Sequence, residues 1–224
     1  QGLRDALQHA GRPGRDLLDR LTGGVAGHDP VGEARPRRVA IRAALPGDAV
    51  SLFAWRQEES VRRHQPLQET TAGELRADLA RQRMEDLYRG RGERFQWIVM
   101  VDGESAGWIT LAILSWEHGL AEIGYALATE YQGMRLMGEA LGQLLPEIFV
   151  AVGIERLEAR CSVENVRSQS LLEQLGFARE GRLRSYFSLH GSRVDNYLYA
   201  LLREEFLARW PARFRCAVLL GSSP

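Results

Sequence analysis

The chain has 224 residues, of which 45% are hydrophobic and 26% charged, a composition typical of a folded globular protein. Lys and Arg total 29 residues, all of them arginine, and 29 Asp and Glu residues balance them, so no long-range attraction to nucleic acid or to a membrane is expected. The two cysteines, Cys161 and Cys216, are too few for a disulfide framework or a metal cluster, and we expect no metal. Without an apolar membrane span or signal-peptide core, the sequence predicts a cytoplasmic protein.

Residues 1–36 are expected to be an N-terminal extension and linker. The leucines of residues 3–21 indicate one or two short helices, interrupted at Gly11-Arg12-Pro13-Gly14. Residues 22–36 are rich in glycine, proline and charge, which is typical of a linker. We expect the helices to pack on the domain or on a partner subunit rather than to form a lid over substrate.

Two helices are predicted after the first strand of the main domain. Residues 37–43 alternate between apolar and polar side chains as in a strand, and Asp48 is expected to cap the helix that follows. Thr71 and Glu74 have the spacing of a capping box. This spacing predicts a second helix over about residues 71–88.

The rest of the chain alternates between predicted strands and helices. Asp102-Gly103 is a strong hairpin signal between two apolar runs. The strands are predicted at about 95–101, 105–115, 120–128, 156–163, 177–189 and 192–202. The helices are predicted at about 134–149, 166–175 and 203–210, followed by a tail of residues 211–224. Helices around a mixed, mainly antiparallel sheet make the predicted fold class α+β.

Two strand–helix units carry the chemistry. In the first, the strand Glu122-Ile123-Gly124-Tyr125-Ala126-Leu127 leads through Tyr131-Gln132-Gly133-Met134-Arg135 into a helix. The unpaired amide N–H groups at such a helix start, around residues 133–137, suit an anionic phosphate. In the second, the strand of residues 156–163 leads through Glu164-Asn165-Val166-Arg167-Ser168 into a helix that exits at Leu175-Gly176-Phe177.

In this order, the two units resemble the GNAT superfamily of acyl-CoA-dependent N-acyltransferases. Within that superfamily the chain resembles the ribosomal-protein N-terminal serine/alanine acetyltransferase branch (RimJ/RimL-like) and the related spermidine-type enzymes. The resemblance covers about residues 39–206 and implies a GNAT domain over residues 37–210. It also implies acetyl-CoA as cosubstrate, an amine or a protein N-terminus as acceptor, and a homodimer.

The resemblance also implies which residues contact CoA. In the family, the two strands splay apart, and backbone amides near Tyr125 and Leu127 bind the thioester oxygen and the pantetheine arm, while the Asn165 amide also contacts pantetheine. Gly124 is either the point where the strand bends or a site of close packing under a helix. The phosphate turn comprises Gln132, Gly133, Met134, Arg135, Leu136, Met137 and Gly138.

Arg135 departs from the family pattern, which is Gln-Gly-x-Gly across residues 132–135. Here an arginine stands where the second glycine would allow the backbone to approach the pyrophosphate. The side chain therefore either contacts a phosphate itself or obstructs the site. We expect the contact.

Ser168 and Glu122 are the candidate catalytic residues. In this branch of the family the serine protonates the leaving thiolate, and many other members place a tyrosine acid where this chain has Leu172. The alternative for Asn165 and Ser168 is that they only cap a helix. Close relatives carry a glutamate base after Gly181 that is missing here, so Glu122 acting through a water is the candidate base. His118, Tyr186 and Asp195 are less favoured candidates for that role.

Arg62, Arg63 and His64 are the candidate substrate-binding residues, because in the family this helix–loop–helix region walls the acceptor pocket. The alternative is that each belongs to a solvated loop. Deprotonating a lysine amine at pH 7 costs roughly 4–5 kcal/mol, against about 1–1.4 kcal/mol for an α-amine. A site without a strong base therefore suits an α-amine better than lysine. The rival hypotheses are a non-catalytic acyl-CoA-binding regulatory protein and a scaffold with a vestigial pocket.

Overall fold

The computed structural model describes residues 37–210; the predicted extension, the predicted tail and Cys216 lie outside the described residues. The strands are β1 Val39–Ala43, β2 Arg94–Val101, β3 Glu104–Ser115, β4 Leu120–Leu127, β5 Arg156–Ser162, β6 Ala178–Leu189 and β7 Ser192–Leu202. The α-helices are α1 Ala49–Gln57, α2 Glu59–Arg62, α3 Ala72–Arg81, α4 Met84–Tyr88, α5 Leu136–Pro146, α6 Val166–Leu175 and α7 Arg203–Arg209. Short 3-10 turns lie at Pro46–Asp48 and Thr129–Tyr131, and a π-helical turn lies at Glu147–Val152.

The seven strands form one sheet in the order β1-β2-β3-β4-β5-β7-β6. Every neighbouring pair is antiparallel except β4 and β5, which run parallel. This confirms the predicted α+β class with a mixed, mainly antiparallel sheet. The hairpin at Asp102-Gly103 is also confirmed, with φ of 53° and 94° at its two residues.

Alternate strand residues feed two hydrophobic clusters, one on each face of the sheet. Trp97 and Ile109, which are paired across β2 and β3, belong to the larger cluster with side chains of α5, α6 and α7. Their neighbours Ile98 and Trp108 point the other way and pack with α1 and α3. There Trp108 stacks on Trp55 with ring centroids 6.3 Å apart. Helices α1, α2 and α3 therefore cover one face, and α4, α5, α6 and α7 pack on the other.

The single helix predicted over residues 71–88 is wrong, because the chain forms α3 and α4 with a break between them. Gln82 at the break adopts an extended backbone. Its side-chain amide donates to the Gln96 carbonyl (3.1 Å) and accepts from the Gln96 N–H (2.7 Å). The capping box at the start of α3 is confirmed: Glu74 accepts from the Thr71 N–H at 2.7 Å, and Thr71 Oγ1 accepts from the Glu74 N–H at 3.2 Å.

The predicted capping of α1 by the Asp48 side chain is also wrong. Its carboxylate pairs with both terminal nitrogens of Arg42, at 2.7 Å each, and accepts from the Leu45 N–H at 2.8 Å. The bidentate bond to Arg42 is the main cause of the lowered pKa of Asp48. The carboxylate ties β1 to the turn before α1, so it is not free to bond the helix start.

The central helix begins and ends differently from the prediction of residues 134–149. Met134 lies before α5 and is exposed, whereas Leu136 and Met137 begin the helix and are buried. Pro146 has no N–H to continue the α-helical pattern, and the chain proceeds as the π-helical turn that carries buried Phe149. Among residues 37–210, no helix is long and apolar enough to cross a bilayer.

Candidate active site

The site begins where β4 and β5 part. The two strands pair at only three positions, which are Leu120 with Arg156, Ala121 with Leu157 and Glu122 with Glu158. Beyond them β5 continues as a partner of β7, and β4 continues as a partner of β3. The β5-facing edge of β4 from Ile123 to Leu127 is therefore left without a neighbouring strand, which confirms the splay that the family resemblance implies.

Two glutamine side chains occupy carbonyl groups on this open edge. Gln65 Nε2 donates to the Tyr125 carbonyl at 2.8 Å, and Gln132 Nε2 donates to the Leu127 carbonyl at 2.9 Å. In a strand, the N–H and C=O of one residue point to the same side. The N–H groups of Tyr125 and Leu127 therefore point into the opening while the carbonyls beside them are already bonded. The edge presents donors, which suits an oxygen that gains negative charge.

A cleft of about 950 Å³ lies over this edge, between the start of α5, the start of α6 and the segment after α2. It contains most of the residues that the sequence singled out. Those lining it are Arg63, His64, Tyr125, Leu127, Gln132, Gly133, Arg135, Leu136, Met137, Gly138, Asn165 and Ser168. Arg62, Met134 and Glu122 are not among its lining residues. For Met134 the reason is its position in the exposed turn ahead of α5.

Arg135 keeps the backbone that a glycine would have. It is the N-cap of α5 with φ of 61° and ψ of 6°, in the left-handed region that glycine adopts without strain. Its side chain is exposed at the cleft, and among the described residues it has no hydrogen bond or ion pair. Gly133 before it has φ of 80°, and a Cβ there would meet no atom within 4 Å. The turn therefore keeps the backbone conformation expected of two glycines, and the Arg135 side chain adds a positive charge to it.

Asn165 and Ser168 have different roles at the start of α6. Asn165 Oδ1 accepts from the Ser168 N–H at 3.1 Å and caps the helix, which leaves its amide nitrogen free of any bond to the described residues. Ser168 Oγ instead shares a 2.9 Å hydrogen bond with the Tyr125 hydroxyl. Helix capping therefore accounts for the side-chain oxygen of Asn165. It does not account for the Ser168 hydroxyl, which does not bond the helix start.

The hydroxyl pair of Tyr125 and Ser168 was not found from the sequence. Burial raises the pKa of the Tyr125 phenol well above its usual value, so the phenol stays protonated near pH 7. Burial raises the pKa of the Cys161 thiol on β5 to about 11, and the nearby Ser168 hydroxyl opposes that shift to a smaller extent. A serine between two protonated groups has a nearby proton source, and no sequence spacing links residues 43 positions apart.

Glu122 lies on the opposite face of the sheet from the Tyr125 side chain, since side chains alternate along β4. It forms an ion pair with Arg160, which also contacts the hydroxyl and ring of Tyr186. Burial is the largest influence on the Glu122 carboxylate and raises its pKa, while Arg160 opposes that shift. A Cβ on Gly124 would meet no atom within 4 Å, so the space beside Glu122 is open and the close-packing explanation for this glycine is wrong.

The other candidates for the base are engaged elsewhere or exposed. Asp195 accepts from Arg182 at 2.7 Å and from the Ser185 N–H at 2.6 Å within the β6–β7 pair. His118 is exposed in the turn before β4. Leu172, at the position where other family members have a tyrosine acid, is buried in the core. In the part of the chain that the structure describes, no group of His, Cys, Asp and Glu is placed to hold a metal.

The three residues proposed for substrate selection line two different cavities. Arg63 and His64 line the cleft, and one ring nitrogen of His64, Nδ1, is buried without a hydrogen-bond partner among the described residues. Burial, followed by the charge of Arg63, lowers the pKa of His64, which is therefore neutral at pH 7. Arg62 donates to Gln57 Oε1 at 3.0 Å and lines a separate depression.

The fold and this cleft together are typical of an acyltransferase class, in which a splayed parallel strand pair lies beside a glycine-containing turn at a helix start. The comparison with protein families agrees. Residues 38–178 match the model described as "Acetyltransferase (GNAT) domain", and the chain belongs to this family.

Individual relatives match parts of the chain. It is 35% identical over 117 residues to the uncharacterized N-acetyltransferase p20 of Bacillus licheniformis. The match covers 52% of this chain and 66% of that protein. It is 35% identical over 79 residues to the [Ribosomal protein uS5]-alanine N-acetyltransferase of Escherichia coli, covering 35% of this chain and 41% of that one. The structure of Mycobacterium smegmatis RimJ in complex with CoA-disulfide superposes with a TM-score of 0.67 at 25% identity, covering 82% and 89% of the two chains.

Proposed function

We propose that this protein transfers an acetyl group from acetyl-CoA to an amine, and that the amine is the α-amine of a peptide or protein N-terminus, or of a small molecule. The observation that carries the proposal is the donor edge of β4. The amide N–H groups of Tyr125 and Leu127 face the cleft beside carbonyls that Gln65 and Gln132 occupy. Such fixed donors stabilise the oxyanion that forms when an amine attacks a thioester.

In this proposal the phosphates of CoA bind at the start of α5. The residues around Gly133 offer free amide N–H groups and the positive end of the helix dipole, and Arg135 adds a guanidinium. The free amide nitrogen of Asn165 bonds a carbonyl of the pantetheine arm. Ser168 protonates the leaving thiolate, and the Tyr125 hydroxyl at 2.9 Å supplies a proton to the serine in turn.

The acceptor amine approaches from the other face of the sheet, where Gly124 leaves open space next to Glu122. Glu122 is the proposed base, acting through a water; burial raises its pKa, and the ion pair with Arg160 limits that rise. Deprotonating an α-amine costs only about 1–1.4 kcal/mol at pH 7, against roughly 4–5 kcal/mol for lysine. A single carboxylate base whose basicity Arg160 limits therefore favours an α-amine acceptor over lysine.

Two measurements test this function. Acetyl-CoA at a hundredfold excess over its dissociation constant should stabilise the protein by about 2.7 kcal/mol, and desulfo-CoA should act similarly because phosphates and pantetheine carry the binding. Thiol release with a panel of α-amines and lysine-type amines then reports transfer. Binding without thiol release from any amine would favour the acyl-CoA-binding regulatory protein. If neither ligand stabilises the protein at millimolar concentration, both the enzyme hypothesis and the hypothesis of an acyl-CoA-binding regulatory protein are wrong.

A further inference from the structure

A second depression, of about 230 Å³, is lined by residues of α1, the end of α2 and the segment that leads to α3. Its charged lining residues are Arg56, Arg62 and Glu69, and they are accompanied by the polar side chains of Gln57 and Gln68. The volume is several times the roughly 30 Å³ share of one water molecule, so a carboxylate-bearing side chain fits. The proposed chemistry of the cleft does not use these residues, and the family resemblance singled out only Arg62 among them, as a candidate for substrate selection.

Arg56 and Arg62 in this depression form no ion pair with a carboxylate of the described residues, unlike several other arginines of the domain. Arg42, Arg156 and Arg203 each form an ion pair with a carboxylate at 3.2 Å or less. Within residues 37–210, Arg56 has only the Gln68 carbonyl, at 3.0 Å, and Arg62 has only Gln57 Oε1, at 3.0 Å. Both guanidinium groups therefore retain donors that no anion satisfies.

Arg56 is half-buried, so its unpaired charge is costly. Burial, and then repulsion from Arg94, lowers the pKa of Arg56. A cation that is partly removed from water gains more from an incoming anion than an exposed one does. Glu69, on the rim of the depression, is exposed and forms no ion pair with either arginine, so it does not supply that anion.

Arg94 connects this depression electrostatically to the reaction centre. Arg94 pairs in register with Ala112, which pairs with Glu122, so the three side chains share one face of the sheet. The positive charge of Arg94 lowers the pKa of both Arg56 and Glu122. Along that face, Gly124 leaves open space at the splayed strands. An acceptor lying on this face would have its amine near Glu122 and could extend toward Arg56.

We propose that the depression is a carboxylate-binding subsite, in which Arg56 and Arg62 bind a side-chain carboxylate of a peptide acceptor. The α-amine of the same peptide then lies at the splayed strands. This rests on the proposed acetyl transfer and narrows its substrate class. Acidic residues close to the N-terminus are favoured. A polyamine is disfavoured, because it would bring further positive charge to Arg56, Arg62 and Arg94.

The test uses two heptapeptides with N-terminal alanine, one with glutamate at positions 2 to 5 and a twin with glutamine there. A contact with a half-exposed guanidinium should favour the glutamate peptide by about tenfold in kcat/KM, mainly through KM. Arg56→Gln and Arg62→Gln should each reduce that ratio by raising the KM of the glutamate peptide. Arg76→Gln is the matched control, since Arg76 is exposed on α3 outside both the cleft and the depression, and it should keep the ratio.

Three outcomes would overturn the subsite. They are equal kcat/KM for the two peptides, a preference that survives both arginine substitutions, and a preference that Arg76→Gln removes equally. Thermal unfolding of each variant shows that its fold is intact, and Arg62→Gln carries the test if Arg56→Gln unfolds. Calorimetric titration of the glutamate peptide into the CoA complex separates the two proposals. Binding that depends on Arg56 without acetylation of any peptide would support the subsite and refute the proposed reaction.

Discussion

Arg135 offers the sharpest perturbation, because its backbone and its side chain predict separable effects. At φ of 61°, a residue with a Cβ carries strain of about 1–2 kcal/mol, which glycine relieves. Glycine also makes the unfolded chain more flexible, at a cost of roughly 0.5–1 kcal/mol. Arg135→Gly should therefore stabilise the free protein by about 0.5–1 kcal/mol, and Arg135→Ala should leave its stability nearly unchanged.

Because both Arg135→Ala and Arg135→Gly remove the guanidinium, both variants should lose CoA affinity. A hydrogen bond to a charged group contributes about 1.5–3 kcal/mol, which corresponds to roughly 10- to 150-fold in the dissociation constant. Arg135 is exposed and its contact is screened, so the lower end, about tenfold, is expected for Arg135→Ala. Arg135→Gly should lose less, because glycine holds the turn without strain and allows the phosphate to come closer.

The assay is calorimetric titration of CoA into the three proteins at low and high salt, together with thermal unfolding without ligand. His190→Gly is the matched control, since His190 is an exposed turn residue with φ of 49° outside the cleft. It should gain stability in the same way and leave CoA affinity unchanged. Tighter CoA binding by Arg135→Ala would show that the arginine obstructs the turn, and a less stable Arg135→Gly would refute the strain argument.

Ser168→Ala should lower turnover by about 10²–10⁴-fold with little change in CoA affinity, measured by steady-state kinetics and titration, and a fully active variant would end its assignment as the acid. Asn165→Asp keeps an oxygen for the helix cap but removes the amide donors, so it should weaken CoA while unfolding shows a retained cap; Asn165→Ala should cost about 1 kcal/mol of stability as well. The Cys161 thiol, with its pKa raised to about 11, should stay unreactive toward a thiol reagent at pH 7 and react as the pH approaches that value; rapid labelling at pH 7 without unfolding would contradict its burial. Because the pKa of Asp48 is lowered on folding, its stabilising effect is present above the unfolded value near 3.9 and is lost as the pH falls through the folded pKa. Asp48→Asn should therefore be less stable than the parent at pH 7, with a difference that narrows below about pH 4, and a constant difference across this range would count against the ion pair.

Local signals in the sequence were enough to predict most of the secondary structure. The capping box of Thr71 and Glu74 and the Asp102-Gly103 turn depend on residues a few positions apart, and both are confirmed. The prediction failed where a local signal had a distant competitor. Gln82 leaves the helical pattern to bond the backbone of Gln96, which belongs to a strand and not to its own helix.

The site was predicted unevenly for the same reason. The Asn165 and Ser168 pattern and the glycine turn are contiguous, so the residues around them could be placed in one cleft before the fold was known. The hydroxyl pair of Tyr125 with Ser168 and the bond from Gln65 to β4 join residues that are 43 and 60 positions apart. Their amino-acid types are ordinary, and only the tertiary packing brings them together.

The glutamines on the β4 edge also bear on how this sheet avoids aggregation. A strand that parts from its neighbour in the middle of a sheet exposes a row of backbone groups to which a strand of another molecule could add. Gln65 and Gln132 occupy two carbonyls in that row, at 2.8 Å and 2.9 Å, so an incoming strand would find donors but few acceptors. Ser60 holds Gln132 in place, with its Oγ 3.0 Å from the same Nε2. The opening can therefore admit an extended small molecule that mainly accepts hydrogen bonds, while a polypeptide strand, which needs both donors and acceptors, is a poor match.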